Sequence, residues 1–237
     1  MEKSNRIWEL DALRGIMILG VVFIHFCFDL DYFLGVDLIR NPVVQLVMDR
    51  CGMSFVVLSG LCATLGRRSL RRGAQVFGCG MLITAVTAGM VLLGLADRFL
   101  IIYFGVLHLL GVCTMLWPLL RRLPVWARLA LGLVLIGLGY RFQTFTVDTF
   151  WLVPFGLVPP GFSSSDYFPL LPGLGWFLLG ACLGTALYRK RRSLLPNFPV
   201  QNPVVRFFRW CGTHSLWIYL LHQPVLAGVT MVINWMI

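Results

Sequence analysis

Apolar residues fill this chain in seven long blocks, near residues 7–30, 43–66, 74–95, 99–120, 124–141, 168–188 and 210–235. Each is close to the roughly 20 residues an α-helix needs to cross the hydrocarbon core of a bilayer. The pattern predicts an all-α, polytopic integral membrane helix bundle with about seven main spans. Two stretches depart from it. Residues 142–167 include Phe150-Trp-Leu-Val-Pro-Phe-Gly-Leu-Val-Pro-Pro160, too short and too proline-rich for a span. A re-entrant or interfacial piece near 150–160 is expected there, surrounded by protein or water. Residues 193–209 carry Pro196, Pro199 and Pro203, followed by Arg206-Phe-Phe-Arg-Trp210, and read as a loop and a short interfacial helix.

The first block is the least ordinary, because it holds Asp11, Arg14, His25 and Asp29. A helix that merely anchored would not carry four such groups, each costly in hydrocarbon unless it faces protein or water. At about 100° per residue, Asp11, Arg14, Ile18, His25 and Asp29 fall on one narrow face. Such a stripe inside a bundle marks a candidate site. Its start resembles a signal peptide only superficially: the run is too long, is charged, and lacks a small-residue cleavage pattern.

Composition strengthens the membrane assignment. With 58% hydrophobic and 13% charged residues, the chain lies far from a soluble domain. The net charge of +10 does not point to nucleic acid, because the basic residues sit in clusters between apolar blocks. These are Arg67-Arg68 with Arg71-Arg72, Arg121-Arg122, and Arg189-Lys190-Arg191-Arg192. They read as cytoplasmic loops under the positive-inside rule and can meet anionic lipid headgroups. The N-terminus is then cytoplasmic and the C-terminus extracytoplasmic. Seven cysteines lie in or beside apolar blocks without CxxC spacing and read as small buried hydrophobes.

All four histidines, His25, His108, His214 and His222, fall in predicted spans or at their edges. Beside Asp11, Arg14 and Asp29 they suggest a shared polar cavity. Histidine takes and returns a proton near neutral pH, which makes it a candidate base or nucleophile. Asp29 follows His25 by four residues and can orient its ring, or can stand in water as a helix-end carboxylate. Arg14 lies about 16 Å below His25, eleven residues at about 1.5 Å each, a separation suited to a long ligand with an anionic end. Alternatively Asp11 and Arg14 neutralise each other at i and i+3. Metal binding is not expected, since no HExxH or comparable ligand pair occurs.

Arg6 and Asp11-x-x-Arg14-Gly, with a histidine fourteen residues after the aspartate, resemble the first helix of the transmembrane acyltransferase superfamily. Phe55-Val-Val-Leu-Ser-Gly60 and the Arg67–Arg72 cluster are similar to its second helix and loop. Tyr103-Phe-Gly-Val-Leu-His108, Asp166-Tyr-Phe-Pro-Leu-Leu-Pro172 and His214-Ser-Leu-Trp-Ile-Tyr-Leu-Leu-His222-Gln-Pro224 resemble its heparan-α-glucosaminide N-acetyltransferase-like bacterial branch. The namesake of that branch departs from this chain, having asparagine where His25 stands. The resemblance implies one transmembrane domain over residues 1–237 in a bacterial inner membrane. It implies transfer of an acyl group, typically acetyl, from cytoplasmic acyl-CoA to a glycan or other small-molecule acceptor. His25 would be base or acyl acceptor, with Asp29 beside it. Asp11, Arg14, Arg67, Arg68, Arg71 and Arg72 would serve the acyl-CoA. His108, Asp166, Tyr167 and His222 would serve the acceptor, although Asp166 and Tyr167 read first as a helix cap and an interfacial aromatic. A proton-coupled transporter or flippase uses the same polar stripe differently, as a relay, and a non-catalytic scaffold would keep it only as structure.

Overall fold

The computed structural model describes residues 6–236, apart from the side chain of Asp49. Eight helices follow in order: α1 (Trp8–Leu34), α2 (Pro42–Ala63), α3 (Ser69–Leu92), α4 (Val106–Leu120), α5 (Val125–Phe142), α6 (Leu170–Leu187), α7 (Pro203–Thr213) and α8 (Ser215–Met236). Two 3-10 turns, Arg98–Leu100 and Phe150–Phe155, lie in the longer connections. Among the described residues β-structure is limited to one isolated bridge between Thr146 and Val158. All of these helices except α4 and α7 are long and apolar enough to cross a membrane, six in all. α4 is a shorter apolar helix of 15 residues. The polytopic helical class follows directly from these lengths.

The boundaries differ most from the apolar blocks in two places. The fourth block was expected to be helical from residue 99, yet α4 starts at Val106. The preceding residues stay outside the α-helix because side chains take up their backbone groups. Thr84 Oγ1 donates to the Ile102 carbonyl at 2.5 Å, and the Ile102 N–H donates to Thr87 Oγ1 at 3.2 Å. Ser164 and Ser165 hydroxyls donate to the carbonyls of Ile101 and Leu100. The seventh block is divided: α7 ends at Thr213 and α8 begins at Ser215. At the break Thr213 Oγ1 and His214 Nδ1 both bond the Trp210 carbonyl, so side chains compete there for a helical acceptor. α7 contains the expected Arg206–Trp210 segment, with Phe207 and Trp210 exposed.

The chain forms two compact units. One comprises the chain up to Phe55 with everything from Lys190 onward, and the other is Val56–Arg189. In the first, α1 packs against α7 and α8. The α1–α7 seam is built on glycine: a Cβ on Gly15 would lie 1.9 Å from the Phe208 carbonyl oxygen, and one on Gly212 would lie 1.7 Å from that of Asp11. The backbones therefore approach as only glycine permits. The start of α1 is pinned by Glu9, whose carboxylate accepts from the Ser193 hydroxyl and the Leu194 N–H, and by Trp8 stacked on Phe198.

In the second unit α3 lies on α4 and α5 on α6. The end of α2 meets α6 at Gly60 and Gly180, each with an opposing carbonyl oxygen 1.9 Å from where a Cβ would stand. Phe177, Leu178, Leu109, Val56 and Cys113 fill the fully buried centre. Outward faces carry Leu82, Val86, Leu133 and Leu183, the apolar exterior that lipid requires.

Candidate active site

The polar face predicted on α1 is the face turned inward. Asp11, Gly15, Ile18 and Asp29 are all buried, Asp29 to 1% exposure. His25 lies on it, half-buried. Its Nδ1 lies 2.9 Å from the Val21 carbonyl oxygen one turn back. A carbonyl only accepts, so Nδ1 carries the proton and Nε2 holds a free lone pair.

α8 supplies the facing group. The ring of His222 meets that of His25 edge to face, with centroids 4.7 Å apart and planes at 79°. Its Nδ1 bonds the Tyr219 carbonyl at 2.5 Å, which fixes the same tautomer. His222 Nε2 is buried without a partner. One residue on, Gln223 Nε2 donates to Asp29 Oδ1 at 2.8 Å. The carboxylate cannot donate, so the amide orientation follows from the bond. Asp29 Oδ2 and Gln223 Oε1 remain buried and unpartnered.

The free atoms of the cluster thus share one character. His25 Nε2, His222 Nε2, Asp29 Oδ2 and Gln223 Oε1 are all acceptors, three of them buried. Buried polar atoms are almost always paired, so this group is matched to something that brings hydrogen-bond donors. No group of three or more metal-ligating residues gathers among the described residues. Gln223 was not singled out from the sequence as a site residue, although its place beside His222 and before Pro224 was the available signal.

The remaining candidates are held by other contacts. At the other end of α1, Asp11 is bracketed by Arg6 at 3.3 Å and Arg14 at 3.9 Å, so the neutralising pair exists and includes a third member. In the second unit Arg67, Arg68, Arg71 and Arg72 stand exposed at the start of α3.

His108, also in that unit, is built differently from His25. It is the third residue of α4, and its Nδ1 accepts from the Gly105 N–H at 3.2 Å. The proton is therefore on Nε2, 3.3 Å from Thr84 Oγ1, which in turn donates to Ile102. Both ring nitrogens are occupied, and the ring also lies against Phe77 and Phe104. Asp166 Oδ2 accepts from the Val106 N–H at 3.2 Å. Together the two side chains satisfy N–H groups that open α4, and Asp166 suits the positive end of the helix. The Tyr167 hydroxyl donates to the Val153 carbonyl at 2.7 Å, and burial pushes its pKa up to about 12.

Apolar helices of spanning length around a buried histidine–carboxylate cluster define an integral membrane protein with an internal polar site. A family model described as heparan-alpha-glucosaminide N-acetyltransferase, catalytic, matches residues 6–224. The chain belongs to this family, which supports transferase activity in general. No curated protein and no solved structure matches it.

Proposed function

We propose that this chain is a membrane acyltransferase that moves an acetyl or other acyl group from cytoplasmic acyl-CoA to a hydroxyl or amine of a glycan or small-molecule acceptor, with His25 as its base. The observation that carries this reading is the fixed tautomer of His25, which leaves Nε2 as the acceptor on a ring packed against that of His222, next to the Asp29–Gln223 pair. A general base needs an available lone pair, a polar surrounding and an orienting contact. All three meet here.

In the proposed reaction His25 Nε2 takes the proton of the acceptor O–H or N–H as that atom attacks the thioester carbonyl. The C–S bond breaks, and the departing thiolate recovers the proton from the imidazolium. Nδ1–H stays on the Val21 carbonyl and holds the ring throughout. His222 Nε2, Asp29 Oδ2 and Gln223 Oε1 are acceptors for the other donors of the substrate. The alternative route has Nε2 attack the thioester itself and form an acyl-imidazole that the acceptor then opens. The exposed Arg67, Arg68, Arg71 and Arg72 of the second unit are candidate partners for the phosphates of the donor, and Arg14 of the first unit, paired with Asp11, is a separate candidate. We place the whole chain in one transferase domain of a bacterial inner membrane, N-terminus cytoplasmic and C-terminus outside, as the basic clusters favour.

The test is to incubate purified protein with acetyl-CoA labelled in the acetyl group, with and without an amino-sugar or polyol acceptor. Label should leave CoA in the native protein and not in a folded His25→Ala variant. Equal rates in the two sink His25 as base. Proton-gradient-driven solute uptake without loss of label would replace the enzyme with a transporter.

A further inference from the structure

Arg128, in the first turn of α5, is only 6% exposed. Nη1 reaches Thr185 Oγ1 of α6 at 3.4 Å, and the guanidinium carbon lies 5.4 Å from the centre of the Trp117 ring of α4. The Thr185 hydroxyl gives its own proton to the Ala181 carbonyl at 2.8 Å, so toward Arg128 it can only accept. Nε is buried and has no partner. The ion pairs among the described residues join Asp11 to Arg6 and Arg14, and Asp37 to Arg40. None reaches Arg128.

A guanidinium does not escape burial by losing its proton, as a lysine ammonium can. A buried charge left without a counter-charge is strongly unfavourable. The ring of Trp117 and the C-terminal ends of α4 and α6 supply partial negative charge, but not a full counter-ion. Thr185 occupies Nη1 alone. The opposite edge, Nε with Nη2, is the planar fork that meets two oxygens of a phosphate or carboxylate at once.

The surroundings narrow the anion. Trp126, two residues before, is 74% exposed, as befits an aromatic at the level of lipid headgroups. Arg121, Arg122 and Arg189, beyond the ends of α4 and α6, are exposed. A basic rim of this kind draws in a phosphate.

We propose that Arg128 is the seat of a bound phosphoryl group, received on its Nε–Nη2 edge between the ends of α4 and α6. The group is the phosphodiester of an anionic lipid or a phosphate of a soluble nucleotide-like molecule; the chemistry at Arg128 is the same. The proposal does not depend on the transferase reading, because its test requires no turnover.

Delipidated protein in a neutral detergent is titrated separately with phosphatidylglycerol, diacylglycerol, coenzyme A without an acyl group, and inorganic phosphate. Thermal midpoint and native mass are recorded for the native chain, Arg128→Met, Arg128→Lys and Arg121→Gln/Arg122→Gln. One phosphate-bearing ligand should raise the midpoint of the native chain and of the double surface variant, and leave Arg128→Met unmoved. Diacylglycerol should do nothing. A response to phosphatidylglycerol identifies a lipid, and one to coenzyme A or inorganic phosphate a soluble ligand. Arg128→Lys keeps the charge without the fork and should bind at least about tenfold more weakly, which carries the test if Arg128→Met fails to fold. Equal shifts in native and Arg128 variants, or no shift in the native chain with any phosphate, overturn the proposal.

Discussion

Replacing Gln223 by leucine removes the single hydrogen bond made to the buried Asp29 carboxylate. The bond is short, 2.8 Å, the carboxylate is 1% exposed, and its other oxygen is already unpartnered. A hydrogen bond to a charged group contributes about 1.5–3 kcal/mol, against about 0.5–1.5 between neutral groups. Gln223→Leu should therefore destabilise the native chain by about 1.5–3 kcal/mol, roughly 3–12 °C in thermal midpoint at about 2–4 °C per kcal/mol. Asp29→Asn keeps an acceptor for the amide and removes the charge. In that background Gln223→Leu should cost only about 1 kcal/mol. The difference, a coupling energy of about 0.5–2 kcal/mol, is measured by a double-mutant cycle on thermal unfolding in one detergent. If the two substitutions add to within about 0.5 kcal/mol, the Asp29–Gln223 bond does not hold α1 to α8, and the acceptor cluster loses its organising contact.

Gly180→Leu should disrupt the α2–α6 seam, since even its Cβ would lie 1.9 Å from the Val57 carbonyl oxygen; with overpacking at about 1–3 kcal/mol or more, size-exclusion chromatography should show loss of the monodisperse species. Thr84→Val removes the hydroxyl shared by His108 and Ile102 and should lower stability by about 1–3 kcal/mol, with amide exchange accelerating at residues 100–108 rather than throughout. Tyr167→Phe should remove one phenol that ionises near pH 12, seen as loss of one step near that pH in tyrosinate absorbance. The sign follows from the raised value: the unfolded phenol releases its proton near 10, the folded one near 12. Tyr167 thus contributes fully below pH 10, and its contribution falls between pH 10 and 12 in the native chain but not in the variant.

Much of this architecture was legible because its causes are local. A block of about 20 apolar residues suffices for a span, and the 100° step of a helix suffices to put Asp11, Ile18 and Asp29 on the buried face of α1. The late start of α4 was not legible, because hydroxyls from α3 and from Ser164 and Ser165 hold the preceding backbone out of the helix. Nor was the burial of Arg128, which depends on α4 and α6 closing over the first turn of α5. His25 and His108 look alike in the sequence, each a lone histidine in an apolar run. Their chemistry diverges with their distance from a helix end. His108 is the third residue of α4, where backbone N–H groups lack partners, so its Nδ1 becomes an acceptor and its proton goes to Thr84. His25 lies far inside α1, where the nearest backbone group is the Val21 carbonyl, so its Nδ1 must donate and its Nε2 stays free. His222, deep in α8, obeys the same rule through Tyr219. A histidine opening a helix is thus spent on the backbone, whereas one within it keeps its Nε2 lone pair. By that criterion His25 and His222 are the two buried or half-buried histidines whose tautomer leaves an acceptor nitrogen on Nε2, and His108 is the one that holds α4 in place.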